Sequence, residues 1–187
     1  MSEKLEQFVR EVEAALAGPS DEARILEHVR RAMGELVAAD DWLAPEMAVP
    51  HPQFYQQYLL HRDSQARFSV VSFVWGPGQQ TPVHDHTVWG VIGMLRGSEV
   101  AQSYLRTDQG MQAEGPPQHL HAGQVALVSP TVGDIHRVSN AHHDRVSISI
   151  HVYGADIGNR RRHVFDLATG AAKEFVSGYA NVRGAVL

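Results

Sequence analysis

Cysteine is absent from the 187-residue chain. Its absence excludes disulfides, thiolate metal sites and a cysteine nucleophile, so any site chemistry must be built from other side chains. Positive charge is also scarce: 16 Lys and Arg face 21 Asp and Glu, for a formal charge of -5. The only basic cluster is Arg160, Arg161 and Arg162, so no field attracts a phosphate backbone and no nucleic-acid partner is expected. No run approaches the roughly 20 apolar residues of a membrane span, and the opening Met1-Ser2-Glu3-Lys4-Leu5-Glu6 lacks the apolar core of a signal peptide. A cytoplasmic protein with no membrane partner is the expectation. Internal repeats, low-complexity tracts and long linkers are missing as well, so residues 1–187 are expected to form a single domain.

What the chain does have is histidine, 12 in all, on a background of 43% hydrophobic and 20% charged residues that fits a globular protein. Leu5, Phe8, Val9, Val12 and Leu16 recur at helical spacing up to Gly18-Pro19, which predicts a first amphipathic helix. Ser20 is placed to cap a second, with Asp21 and Glu22 at its positive end and Leu26, Val29, Met33 and Leu36 as its buried stripe, ending near Ala39. Pro45, Pro50 and Pro52 interrupt regular structure, and Gln53 to His61 reads as a short helical segment that closes a helical N-terminal part, residues 1–61.

From residue 67 the pattern becomes short runs rich in Val, Ile, Phe and Tyr between Gly, Pro and Asn clusters: Phe68 to Trp75, Val88 to Leu95, Glu99 to Leu105, Gln124 to Val128, Arg145 to Tyr153, His163 to Leu167 and Lys173 to Val176. Ala168-Thr169-Gly170 joins the last two as a hairpin. The fold class is therefore mainly β, a barrel or sandwich over residues 67–187 with the helices packed outside.

His84-Asp85-His86 precedes a strand-like run, and an extended chain sends both imidazoles to one face and Asp85 to the other. Gly78, five residues, His84-x-His86, three residues, Gly90, six residues and Gly97 reproduce the first cupin motif, with Gly90 where that motif has Glu. Gly123, Pro130, Gly133, His136 and Asn140 echo the second, with one extra residue before the Pro and one after it. Neighbouring strands of a small barrel can converge ligands that one strand cannot supply, so His84, His86 and His136 would form one three-nitrogen face. Neutral imidazoles suit iron, zinc, copper and nickel, and they leave the ion's double charge uncompensated, which favours an anionic ligand such as a thiolate.

Within Arg145 to Tyr153, Val146, Ile148, Ile150 and Val152 share one face and Ser147, Ser149, His151 and Tyr153 the other. Such a polar row is commonly a solvated sheet face. Inside a barrel its members must bond one another, and Ser149, His151 and Tyr153 can do so with His151 between the two hydroxyls, leaving Tyr153 to donate toward a ligand on the metal. His119-Leu120-His121 lacks the flanking glycines and reads as exposed; His142-His143 reads as a turn.

Taken together, Pro82-Val-His84-Asp-His86-Thr, Pro130-x-x-Gly-Asp-Ile-His136-Arg-Val-x-Asn140 and Ser149-x-His151-x-Tyr153 resemble the cysteine dioxygenase family of thiol dioxygenases, over about Gly78 to Tyr153; Phe175-Val-Ser-Gly-Tyr179 adds to the likeness. The resemblance implies a cupin jelly-roll β-barrel and a mononuclear iron(II) on His84, His86 and His136. It also implies Ser149, His151 and Tyr153 as an outer relay, and oxidation of a small thiol by O2 to its sulfinate. Mammalian members carry a Cys-Tyr crosslink that a chain without cysteine cannot make, and Gly90 takes that place. An ungapped count back from Trp75-Gly76 puts their substrate-binding Arg at Tyr58. The bacterial branch acting on 3-mercaptopropionate, with Gly for that Cys and an Arg nine residues after the relay Tyr, is more similar; that residue is Arg162, with Arg62 or Arg67 as alternatives. 3-Mercaptopropionate is the favoured substrate, ahead of cysteine. A non-catalytic cupin binding a metal or small acid is the competing expectation, and a zinc or nickel enzyme on the same ligands a third.

Overall fold

In the computed structural model, which describes residues 1–19 and 21–182, two helices precede a body of antiparallel strands. The helices are α1 (Glu3–Ala15) and α2 (Glu22–Leu36); the strands are β1 (Gln56–Arg62), β2 (Ser69–Trp75), β3 (Val83–His84), β4 (Gly90–Arg96), β5 (Ser98–Thr107), β6 (Gly110–His121), β7 (Val125–Val128), β8 (His136–Asn140), β9 (Ser147–Tyr153), β10 (Arg162–Phe165) and β11 (Ala172–Phe175). They form two sheets, ordered β1-β2-β9-β4-β7 and β11-β10-β3-β8-β5-β6. This is the mainly β, two-sheet body expected, with the helices on the outside of the first sheet. No helix among the described residues is long and apolar enough to cross a membrane.

Both helices start where the physical chemistry of caps requires. The Ser2 hydroxyl accepts from Leu5 N–H, and the Asp21 carboxylate accepts from Arg24 N–H at 2.9 Å. Asp21, expected inside the second helix, is thus its cap; Ser20 lies outside the described residues. The stripes Leu5, Phe8, Val9, Val12 and Leu26, Val29, Met33, Leu36 bury against Val70, Val74, Val91, Leu95, Ile148, Ile150 and Val152. α2 can sit this close to β4 because Gly93 has no side chain: a Cβ there would lie 2.6 Å from Met33 Cγ and 2.8 Å from Val37 Cγ1.

The alternation along β9 decides the site. Its apolar row faces the helices, and every residue from Ser147 to Tyr153 is buried. The polar row is therefore inside the barrel and not a solvated face.

Two sequence expectations are corrected. Gln53 to His61 is not helical: Gln56 onward pairs with β2, so the sheets begin well before residue 67. Tyr58 and Leu60 pack toward the helices while the alternate residues face the barrel, so both faces are covered and no simple polar-apolar alternation marks the strand. β6, with Pro116 and Pro117, shows no strand signal in the sequence; it is the edge of its sheet, where a missing N–H and a polar, exposed surface are tolerated.

Candidate metal centre

β3 and β8 are short, but their pairing places His84 directly opposite His136. His86 follows β3 by two residues and is held from the β7–β8 connection by Asp134, which accepts from the backbone N–H of His86 at 2.9 Å and of Thr87 at 3.0 Å. Thr87 adopts φ 60°, a left-handed turn that these bonds stabilise. Asp85 points the other way, as the extended reading requires, and accepts from His163 N–H at 2.7 Å and lies 2.8 Å from His163 Nδ1, tying β3 to β10.

One ligand atom from each of His84, His86 and His136 lies within 4.8 Å of the others, and all three residues are buried. The outer ring nitrogens of two are already committed. His84 Nδ1 donates to Pro82 O at 3.0 Å, and His86 Nδ1 donates to Asp134 Oδ1 at 3.0 Å. Since the carbonyl and the carboxylate only accept, both rings carry their proton on Nδ1 and leave Nε2 free as a ligand. Burial, with the neighbouring His86, pushes His84 down to about 3 and holds His136 well below the usual imidazole range, so both are neutral donors near neutral pH. Burial pushes the Asp134 carboxyl up, but the hydrogen bonds from His86 and Thr87 outweigh it and keep the group ionised.

Beside this cluster, Ser149 Oγ is 2.8 Å from His151 Nε2, and His151 Nδ1 is 2.8 Å from the Tyr153 hydroxyl. His151 stacks on Phe73 at 4.1 Å between centroids, and Tyr153 stacks on His86 at 5.4 Å. Burial holds His151 well below its usual range and Tyr153 well above, so the pair stays neutral with the phenol protonated. Gly90 is the register partner of Tyr153, and a Cβ there would come within 2.7 Å of the Tyr153 ring and 2.9 Å of Val128 Cγ2. The absence of a side chain at residue 90 is what lets the phenol ring lie flat on β4.

Of the three consecutive arginines only Arg162 is buried, 4% exposed; Arg160 reaches Thr87 from the surface and Arg161 faces Glu174 at 3.6 Å. Arg162 Nη2 donates to Ser177 Oγ at 2.8 Å, its guanidinium lies 4.7 Å from the Phe175 ring centroid, and its Nε is buried without a partner among the described residues. Among the described residues no carboxylate forms an ion pair with it. Arg162 begins β10, which pairs with β3 at Val164 and His84, so it lies two residues along the strand from the partner of a cluster histidine. Arg62 and Arg67 are instead paired with Asp156 at 3.3 Å and Asp63 at 2.7 Å. Tyr58, where the ungapped count falls, lies on the helix side and donates to Val49 O, whereas its neighbour Gln57 has a buried Oε1 with no partner among the described residues.

Several groups at or around the site carry no sequence signal of their own. Asp134, Trp75 and Ser177 act through contacts across the fold; Asp134 lies inside Gly-Asp-Ile-His136 and Ser177 inside Phe175-Val-Ser-Gly-Tyr179, but neither motif specifies the contact. Asn140 is structural: its Nδ2 donates to Trp75 O, Gly76 O and Arg145 O. His119 and His121 are exposed on the edge strand, and His142-His143 lies in the connection between β8 and β9, with a bend at His143.

Residues 41–164 match the sequence model of the family described as cysteine dioxygenase type I. Cysteine dioxygenase type 1 of Danio rerio is 27% identical over 112 residues, 58% of this chain and 54% of that protein. The Homo sapiens protein of the same name is 26% identical over 123 residues, 62% of this chain and 60% of that one. The chain thus spans less than two thirds of the length of these curated relatives. Among solved structures, an uncharacterized protein with a double-stranded β-helix domain from Klebsiella pneumoniae is 19% identical, with a TM-score of 0.47, over 71% of this chain and 92% of that one.

Proposed function

The chain belongs to the cysteine dioxygenase type I family, and from this premise we propose that it is a thiol dioxygenase converting a small thiol carboxylate and O2 to the corresponding sulfinate at an iron(II) held by His84, His86 and His136. The observation that carries the reading is the juxtaposition of three buried imidazoles with an aligned Ser149–His151–Tyr153 chain. A site that only stores a metal has no work for that chain. The donor set fits a divalent ion: all three rings are buried, His84 and His136 are held neutral, and acceptors on the far nitrogens of His84 and His86 orient those two rings. Iron(II) held there would supply the redox chemistry with dioxygen that no side chain offers.

The side chains do the rest. Arg162, buried and without an acidic partner among the described residues, takes the substrate carboxylate by charge-assisted hydrogen bonds and so fixes how far the sulfur reaches. Tyr153, kept protonated by burial, donates from its hydroxyl toward the reacting end of the substrate. His151 and Ser149 hold that hydroxyl in place. 3-Mercaptopropionate is the favoured substrate, because Gly90 and Arg162 follow the pattern of the branch that uses it.

Arg162→Gln tests the carboxylate assignment. The Michaelis constant for 3-mercaptopropionate, measured by oxygen uptake, is expected to rise about 10- to 100-fold, the usual worth of hydrogen bonds to a charged group, with metal content unchanged. Turnover of 2-mercaptoethylamine, which has no carboxylate, should change little. Equal effects on the two thiols would remove Arg162 from substrate binding.

A further inference from the structure

β11 ends at Phe175, and residues 176–182 run on as a strap across the open edge of β1. Gly178 N–H donates to Gly158 O at 2.9 Å and Ala180 N–H to Gln57 O at 2.8 Å. The Asn181 side chain takes the place of a neighbouring strand: its Oδ1 accepts from Leu59 N–H and its Nδ2 donates to Leu59 O, both at 2.9 Å. The Tyr179 hydroxyl accepts from Gly158 N–H at 2.8 Å and donates to Asp156 Oδ1 at 2.6 Å, and its ring occupies the space a Cβ on residue 158 would need. Ser177 is thus fixed between β11 on one side and this set of bonds on the other.

Counting donors where Ser177 meets Arg162 gives the strap a consequence. Nε and Nη2 share one edge of the guanidinium plane, the edge that can hold a carboxylate by two parallel bonds. Here Nη2 donates to Ser177 Oγ at 2.8 Å, and Nε–H has no acceptor among the described residues. The Ser177 hydroxyl, having accepted from Nη2, keeps its own proton, and that proton also has no acceptor among the described residues. Phe175 covers a face of the guanidinium, 4.7 Å from its ring centroid, and leaves the edge for hydrogen bonding. Ser177 lines a cavity of about 340 Å³ together with Tyr55 and Tyr179, so there is room beside the hydroxyl. Two unspent donors joined through a cation are the complement of a carboxylate, whose two oxygens only accept.

We propose that Ser177 is a second carboxylate-binding residue of the thiol site, donating its hydroxyl proton to one oxygen of the substrate carboxylate while Arg162 Nε–H donates to the other, and that it thereby selects thiols that carry a carboxylate. The proposal rests on the assignment of Arg162 to the substrate carboxylate. The bond from Nη2 sets the spacing of the two donors, and the strap holds Ser177 in place before substrate arrives, so little ordering is left to be done on binding.

The test is equilibrium binding of 3-mercaptopropionate to the full chain loaded with iron(II) and kept free of dioxygen, followed by calorimetry, with ethanethiol as the thiol that lacks a carboxylate. Ser177→Ala should raise the Kd of 3-mercaptopropionate about 10- to 100-fold, the usual worth of a hydrogen bond to a charged group, and leave that of ethanethiol unchanged. Ser177→Thr, which keeps a hydroxyl at the same place, should restore most of the lost affinity. Added to Arg162→Gln, Ser177→Ala should weaken binding further; no further loss would mean that Ser177 only props the guanidinium, and would overturn the proposal. An unchanged Kd in Ser177→Ala, or an equal loss for both thiols, would overturn it as well. If Arg162→Gln weakens binding and Ser177→Ala does not, the role of Ser177 alone fails; if neither variant does, the carboxylate assignment fails with it. Without dioxygen no sulfinate forms, so these outcomes are distinct from a failure of turnover.

Discussion

Replacing His136 by Ala is expected to strip the protein of its metal and reduce sulfinate formation to background while leaving the fold intact. His136 faces His84 across a single register pair, so its ring closes the cluster that His84 and His86 open from one side of the strand. Two imidazoles cannot replace three, and the loss of affinity should exceed the 10–100-fold that typically follows removal of a group only supporting a ligand. The first sheet and its helices make no use of the ring, so the circular dichroism spectrum and the cooperative melt should persist. Metal content after exhaustive dialysis checks the claim, with His119→Ala as control. His119 is exposed on an edge strand, and its loss should cost no metal. A His136→Ala protein that keeps one metal per chain would show that the cluster is not the site.

Tyr153→Phe should lower the rate of sulfinate formation by about 10²–10⁴-fold, the usual worth of a positioned proton donor, with little change in metal content. The substitution preserves the ring that stacks on His86 and lies against Gly90, and removes only the hydroxyl. Because that hydroxyl is the partner of His151 Nδ1 at 2.8 Å, deeply buried, the variant should also lose about 1–3 kcal/mol of stability from the unsatisfied nitrogen. Stopped-flow turnover and thermal melts measure the two effects separately. Unchanged turnover with a lowered melting temperature would leave Tyr153 a purely structural role.

How much of this is legible in the sequence depends on how local each signal is. The strands over residues 68–75 and 145–153 announce themselves through β-branched runs, and the histidine spacing singles out the residues that the fold then brings together. β1 escaped because its two faces are both covered, and β6 because an edge strand tolerates proline and polar residues. β3 and β8 are too short for a periodic signal, and their residues are chosen for the site rather than for strand propensity. Which of three adjacent arginines turns inward is decided by the start of β10 and by Ser177 and Phe175, none of which sequence spacing specifies. Asp134 likewise takes its role from contacts between segments far apart in the chain.

The most direct test of a dioxygenase is the origin of the oxygen in its product. The full chain, reconstituted anaerobically with iron(II) and given 3-mercaptopropionate under isotopically labelled dioxygen, should consume one dioxygen per thiol and yield a sulfinate in which both oxygen atoms carry the label. Iron bound on His84, His86 and His136 with no labelled sulfinate from 3-mercaptopropionate, cysteine or any other small thiol would contradict it.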